Sequence, residues 1–234
     1  MGPAPSWDLL TIALFGAILS YIWRIQDLYP ILRALEFPTV VSLAAFGLYI
    51  AKGGGRRKIT KLRSKVLKAA TWVFFFILLS GPFSLGKGRT FWFVVQDFAK
   101  TFVLMWIVAA SIRHFRDVRR LVAAIVVGAF LYSLYVELNV TVGMGGRLGN
   151  IVMYDANDLG ALLIFTIPLG LFFLFRGRTW WVRWAAGGAL LLFLRIVIKS
   201  GSRGAFLGLI GLGLYFLFGL KAVKSRTRAL IVAA

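Results

Sequence analysis

The run Leu159-Gly160-Ala161-Leu162-Leu163-Ile164-Phe165-Thr166-Ile167-Pro168-Leu169-Gly170-Leu171-Phe172-Phe173-Leu174-Phe175 decides the fold. It carries no charge, stops against Arg176, Gly177 and Arg178, and is followed almost at once by a second apolar run, Trp180 to Ile198. A helix needs about 20 mostly apolar residues to cross about 30 Å of hydrocarbon, so two such runs in succession read as paired membrane helices. Working outward, the same pattern recurs at Leu9 to Trp23, Phe37 to Ala51, Val66 to Leu85, Phe91 to Ile112, Leu121 to Glu137 and Ala205 to Leu220. The expected fold is therefore all-α: a polytopic bundle of about eight transmembrane helices forming one integral membrane domain over residues 1–234. The first two runs are short for a crossing, with Tyr21, Trp23, Tyr29 and Tyr49 placed as interfacial anchors.

Composition agrees. Of the 234 residues, 60% are hydrophobic and 15% charged, and mean hydropathy is +0.84, far from the mix of a soluble domain. A net charge of +20 would suggest nucleic acid in a soluble protein. Between membrane spans, Lys and Arg instead set orientation and meet lipid headgroups, so nucleic acid is not an expected partner and membrane lipids are. Cysteine is absent, which excludes disulfides, thiolate metal sites and a cysteine nucleophile. The first apolar stretch lacks a basic segment before it and a small-residue cleavage site after it, so it reads as a retained span.

Basic residues alternate sharply from loop to loop. The loops around Lys52 to Lys68, Arg113 to Arg120, Arg176 to Arg183 and Lys221 to Arg228 hold nineteen, and the alternate loops with their helix ends hold nine. The positive-inside rule then places the amino terminus in the cytoplasm. It places Leu138 to Asp158 and Lys199 to Gly204 on the extracytoplasmic face, the periplasm in a Gram-negative cell. At the other extreme, Ala229 to Ala234 restarts an apolar run too short to span, so a ninth helix is expected to begin there and the chain is expected to be truncated.

Those two outer stretches are polar islands. In the first, Arg147 stands among glycines that let a ligand approach the backbone, and its planar guanidinium suits phosphate oxygens, although a solvated loop arginine has the same sequence. Asp155, Asn157 and Asp158 precede the sixth run; Asn157 or Asp158 is expected to cap the helix, leaving Asp155 to pair with an arginine or accept a proton. In the second island, Ser202 and Arg203 open the eighth run, where the start of a helix favours an anion. Arg195, Lys199 and Arg203 recur at four-residue spacing with no acid between them, which calls for an anionic ligand, lipid phosphates or acids from elsewhere.

Asp97 and Lys100, one turn apart within the fourth run, read as an intramembrane ion pair. His114, the single histidine, falls among the inner basic residues. Gly53-Gly54-Gly55 is a joint and not a phosphate loop, since no Gly-Lys-Ser/Thr follows. Asn139-Val140-Thr141 is a sequon with no weight of its own, and no metal site or cofactor is expected.

Gly146-Arg147-Leu148, then Tyr154-Asp155-Ala156-Asn157-Asp158-Leu159, then Ser200-Gly201-Ser202-Arg203-Gly204-Ala205-Phe206-Leu207-Gly208, in this order and spacing, resembles the O-antigen ligase and polymerase family of bacterial envelope proteins. The likeness covers about residues 147–220. It implies a multispanning, metal-independent inner-membrane glycosyltransferase that moves a glycan from an undecaprenyl diphosphate carrier to an acceptor hydroxyl on lipid, protein or a growing polysaccharide. It further implies that Arg147 and Arg203, with Lys199, hold the diphosphate, and that Asp155, Asn157, Asp158 and Ser202 support them. Family members carry about a dozen spans and a late outer loop with a histidine that assists the acceptor. This chain ends before that region, so it resembles an amino-terminal portion, with its catalytic residue open and inactivity by itself expected. Two other readings remain from the sequence: a small-anion transporter of the inorganic-carbon type, marked by Asp97 and Lys100, and a noncatalytic membrane scaffold.

Overall fold

The computed structural model describes residues 7–51, 64–83, 98–141 and 154–219, with the single positions 88, 92, 94, 143 and 148. Among the described residues it is all-helical. The helices are α1 (Leu9–Trp23), α2 (Pro30–Ala34), α3 (Phe37–Ala51), α4 (Lys65–Ser80), α5 (Ala99–Ser111), α6 (Phe115–Asn139), α7 (Ala156–Arg176), α8 (Trp180–Ser200) and α9 (Arg203–Leu214). A π-turn, Tyr215–Gly219, follows α9.

Four stretches are long and apolar enough to cross a membrane: Lys65–Phe83, Phe115–Asn139, Ala156–Arg176 and Trp180–Ser200. Four shorter apolar helices accompany them, Leu9–Trp23, Phe37–Ala51, Ala99–Ser111 and Arg203–Phe218. The chain is thus compatible with a multi-pass membrane protein. All eight apolar runs of the sequence carry helix, but half of these helices are shorter than a lone crossing requires. The helix over the fifth run begins six residues before its apolar stretch, at Phe115 and not Leu121. Asp117 explains this: its Oδ2 accepts the backbone N–H of Arg113 at 3.1 Å and of His114 at 3.2 Å, capping α6 and drawing Arg116, Arg119 and Arg120 into the helix.

Two compact units divide the chain, one formed by residues 1–21 and 25–124, the other by residues 22–24 and 125–234. In the first, Leu10, Leu14 and Ala17 of α1 pack with Ala45 of α3, Leu104 and Ile107 of α5 and Leu121 of α6. Phe74 of α4 stacks on Phe102 with ring centroids 4.3 Å apart and on Phe98 at 6.0 Å. Arg113 pairs with Asp8 at 3.5 Å, while Arg120 lies 4.5 Å over the Trp7 ring, so both arginines have partners beside the start of α1.

Glu36 joins α2 to α3 in the left-handed region, at φ 43°, a strained setting for a residue with a side chain. It is held there by its own bonds. The carbonyl accepts Thr39 N–H at 2.7 Å and Val40 N–H at 3.2 Å, while carboxylate Oε2 accepts the Thr39 hydroxyl at 3.0 Å and Lys100 Nζ at 3.5 Å. The Thr39 hydrogen bond, then the Lys100 charge, keeps this carboxyl below its ordinary value.

In the second unit α7 and α8 form an antiparallel hairpin. A Cβ on Gly170 would meet Leu190 Cδ2 at 2.9 Å, and one on Gly187 would sit 3.6 Å from Leu174. Helix α9 returns against α7 and comes closer still, since a Cβ on Gly160 would lie 2.5 Å from that of Ala205. Pro168 lies inside α7 and gives up one ladder hydrogen bond there.

Candidate functional site

The polar islands meet at one end of this second unit, where α7 and α9 begin and α8 ends. Asp155 is extended, at φ −71° and ψ 170°, and its Oδ1 accepts the N–H groups of Asn157 and Asp158, both at 2.7 Å. Asp155 is therefore the cap of α7. The sequence had pointed to Asn157 or Asp158 for that task; the helix starts earlier, at Ala156, which puts Asp155 at the position whose side chain faces the first free N–H groups. Asp158 sits exposed in the first turn.

Asn157 is thereby released for a long-range contact. Its Oδ1 accepts a hydrogen bond from Ser202 Oγ at 3.0 Å, across 45 residues of chain. Ser202 in turn caps α9, accepting Ala205 N–H at 3.2 Å, and its own N–H donates to Ser200 Oγ at 3.2 Å. Gly201, at φ 59°, makes the left-handed step that ends α8 and lets α9 start within two residues. Ser200 and Ser202 are buried, so their polar atoms are satisfied within this turn and the geometry between α8 and α9 is fixed. Arg203 is the first residue of α9 and is exposed.

The cations of α8 find an acid elsewhere in the fold, one of the alternatives that the sequence leaves open, although the sequence does not say which acid. Glu137, near the end of α6, accepts Lys199 Nζ on both carboxylate oxygens at 2.8 and 2.7 Å, and its Oε1 also accepts Arg195 Nε at 3.0 Å and an Arg195 terminal nitrogen at 2.8 Å. Of Arg195, Lys199 and Arg203, which have no acid between them in sequence, the first two share this one. A signal was present, because an acid inside an apolar run normally faces a partner, and Glu137 closes the fifth run. What hid the pairing was distance along the chain, 58 residues to Arg195 and 62 to Lys199.

Tyr154 locks the same end. Its hydroxyl donates to the carbonyl of Ile22 at 3.2 Å, its ring meets buried Tyr132 edge-on at 5.0 Å, and Arg24 lies 5.3 Å from the ring centroid. Arg147 falls outside the described residues, as does Asp97, so neither the first arginine of the islands nor the expected Asp97–Lys100 pair is placed. Lys100 meets Glu36 and Thr39 in the first unit. Among the described residues no three His, Asp or Glu side chains come together as metal ligands would.

Chemically, this end offers one exposed guanidinium at the start of a helix, a triad of two cations and one carboxylate, and a hydrogen-bonded serine–asparagine link that fixes the helix ends. Its three cations Arg195, Lys199 and Arg203 are matched by three acids, Glu137, Asp155 and Asp158, and Arg24 beside Tyr154 adds one positive charge. An exposed guanidinium at a helix start is a setting that favours an anion. No family model, curated protein or solved structure matches this chain.

Proposed function

We propose that this protein is a bacterial inner-membrane glycosyltransferase of the O-antigen ligase type, which transfers a glycan from an undecaprenyl diphosphate carrier to an acceptor hydroxyl on the extracytoplasmic face. The observation that carries the reading is the Ser202–Asn157 hydrogen bond, which joins the two islands in which the family likeness resides. In this reading all eight apolar helices are spans, the amino terminus is cytoplasmic, and the islands open to the periplasm. Arg203 and Lys199, with Arg147 from the neighbouring loop, bind the diphosphate. Charge develops on that leaving group as the glycosidic bond breaks, and fixed cations beside low-dielectric lipid stabilise it most where it is greatest. Glu137 holds Lys199 and Arg195 in place, and Asp155 serves as a cap instead of the proton acceptor.

The test is glycan transfer in cells that depend on the natural gene for it. Arg203→Ala and Arg147→Ala are each expected to abolish transfer while membrane insertion is unchanged. Normal transfer in both variants rejects the proposal. The transporter reading makes a contrary demand, anion uptake that depends on Lys100, yet Lys100 is engaged with Glu36 and Thr39.

A further inference from the structure

The opposite end of the α7–α8 hairpin carries a second basic cluster of another kind. Every residue from Arg178 to Ala185 is exposed, and Trp180, Trp181 and Trp184 retain 56%, 67% and 72% of their accessible surface. The Trp180 and Trp181 rings stack on each other with centroids 3.7 Å apart and planes at 28°. Arg176, Arg178 and Arg183 neighbour them in sequence, all exposed. Their turn is rigid. Arg183 Nε donates to the Gly177 carbonyl at 3.0 Å, and Gly177 has no room for a side chain, since a Cβ would lie 2.5 Å from the Phe173 carbonyl oxygen.

Neither Arg178 nor Arg183 forms an ion pair among the described residues, and no acid follows Asp158 in the sequence. Three large indoles facing outward beside these arginines need a partner that is apolar on one side and anionic on the other. A phospholipid headgroup region has that character. Helix length supplies an independent argument. α7 and α8 each have 21 residues, about 30 Å of helix, which is the thickness of the hydrocarbon layer. With the serine turn at Ser200 to Ser202 at one interface, the Trp180 turn falls at the other.

We infer that the α7–α8 turn is a docking site for anionic phospholipid headgroups of the phosphatidylglycerol kind, with Arg176 and Arg178 on the phosphodiester, Arg183 bracing the turn, and the three tryptophans seated at the glycerol level. Guanidinium groups offer paired N–H donors to phosphate oxygens, while the cation of a choline headgroup would be repelled by the same arginines. The inference depends on membrane insertion and not on glycan transfer.

Native mass spectrometry of the purified chain in mild detergent, offered phosphatidylglycerol and phosphatidylcholine in equal amounts, tests it. The wild type is expected to retain phosphatidylglycerol preferentially. Each arginine beside an anionic surface is worth about fivefold in binding, so Arg176→Gln and Arg178→Gln, which leave the Arg183 brace intact, should each weaken that preference by about that factor. Equal retention of the two lipids, or a preference untouched in the double variant, overturns the proposal. Should the double variant fail to fold, the wild type decides through its tryptophans. Brominated phosphatidylglycerol should quench their fluorescence more than brominated phosphatidylcholine, and a Trp180→Phe/Trp181→Phe/Trp184→Phe variant should lose that difference; equal quenching by both lipids overturns the site. Loss of transfer in Arg203→Ala leaves this result unaffected, so the two proposals fail separately.

Discussion

The two ends of the α7–α8 hairpin carry the same number of cations and treat them differently. At the end formed by Ser200 to Ser202, two of three are drawn onto Glu137, α7 and α9 are each capped by a side chain, and the serines are buried. At the Trp180 end the arginines stay exposed, and Thr179 precedes α8 without making a side-chain cap bond. Charge content alone therefore does not separate a site from a surface. What separates them is pairing: Arg195 and Lys199 share Glu137, while neither Arg178 nor Arg183 pairs with an acid among the described residues.

The sharpest way to break this contrast is steric. Gly160→Val forces a side chain into the 2.5 Å gap to Ala205 and is expected to cost about 2–3 kcal/mol or prevent folding. Gly188→Ala, on the same hairpin but with nothing within 4 Å of the added carbon, is expected to be neutral or to stabilise by about 0.5–1 kcal/mol through helix propensity. Thermal unfolding in detergent compares them; equal effects would show that the close packing is not specific to the polar end.

Next in size is the serine–asparagine link. Ser202→Ala removes a cap and an interhelical hydrogen bond and should cost about 1–2 kcal/mol. Asn157→Ala should cost less, and the double variant should fall short of the sum by about 0.5–1 kcal/mol if the two side chains act as a pair. Strict additivity would dissolve the link between the islands.

A smaller effect is expected from the triad. Glu137→Gln leaves Lys199 without a charged partner, so its amine should be acylated faster by a water-soluble reagent while stability changes little. An unchanged labelling rate would mean that Glu137 does not hold Lys199.

The smallest effect belongs to an exposed pair outside the hairpin, which sets the scale for surface charge in this protein. Glu36 has its carboxyl lowered by Thr39 and Lys100, so its contribution to stability is present above the ordinary carboxyl value and is lost as pH falls through its lower folded value. Unfolding temperatures from pH 7 to pH 3 should therefore drop slightly more steeply for the wild type than for Glu36→Gln. Superimposable profiles would remove any role for this pair.

How much of this was legible in the sequence depends on the range of the interaction. α1 and α3 begin and end where their apolar runs do, because apolar runs of this length favour a helix locally, and Pro38 falls in the first turn of α3, where its missing N–H costs nothing. Boundaries set by capping were less accurate: Asp117 starts α6 early, and Asp155 takes the cap from Asn157 and Asp158. Asp, Asn and Ser are interchangeable as caps, so a cluster of them does not announce which one is used until the backbone turns.

Residue order alone determined that the chain is a succession of apolar helices divided by basic and polar loops, since hydrophobicity and charge act at the scale of a helical turn or a span. Tertiary structure alone decided that Glu137 neutralises Arg195 and Lys199, and that Asn157 goes to Ser202. Those partners are brought together by the packing of α6, α7, α8 and α9, including the close approach of α9 to α7 at Gly160 and Ala205, which no local pattern encodes.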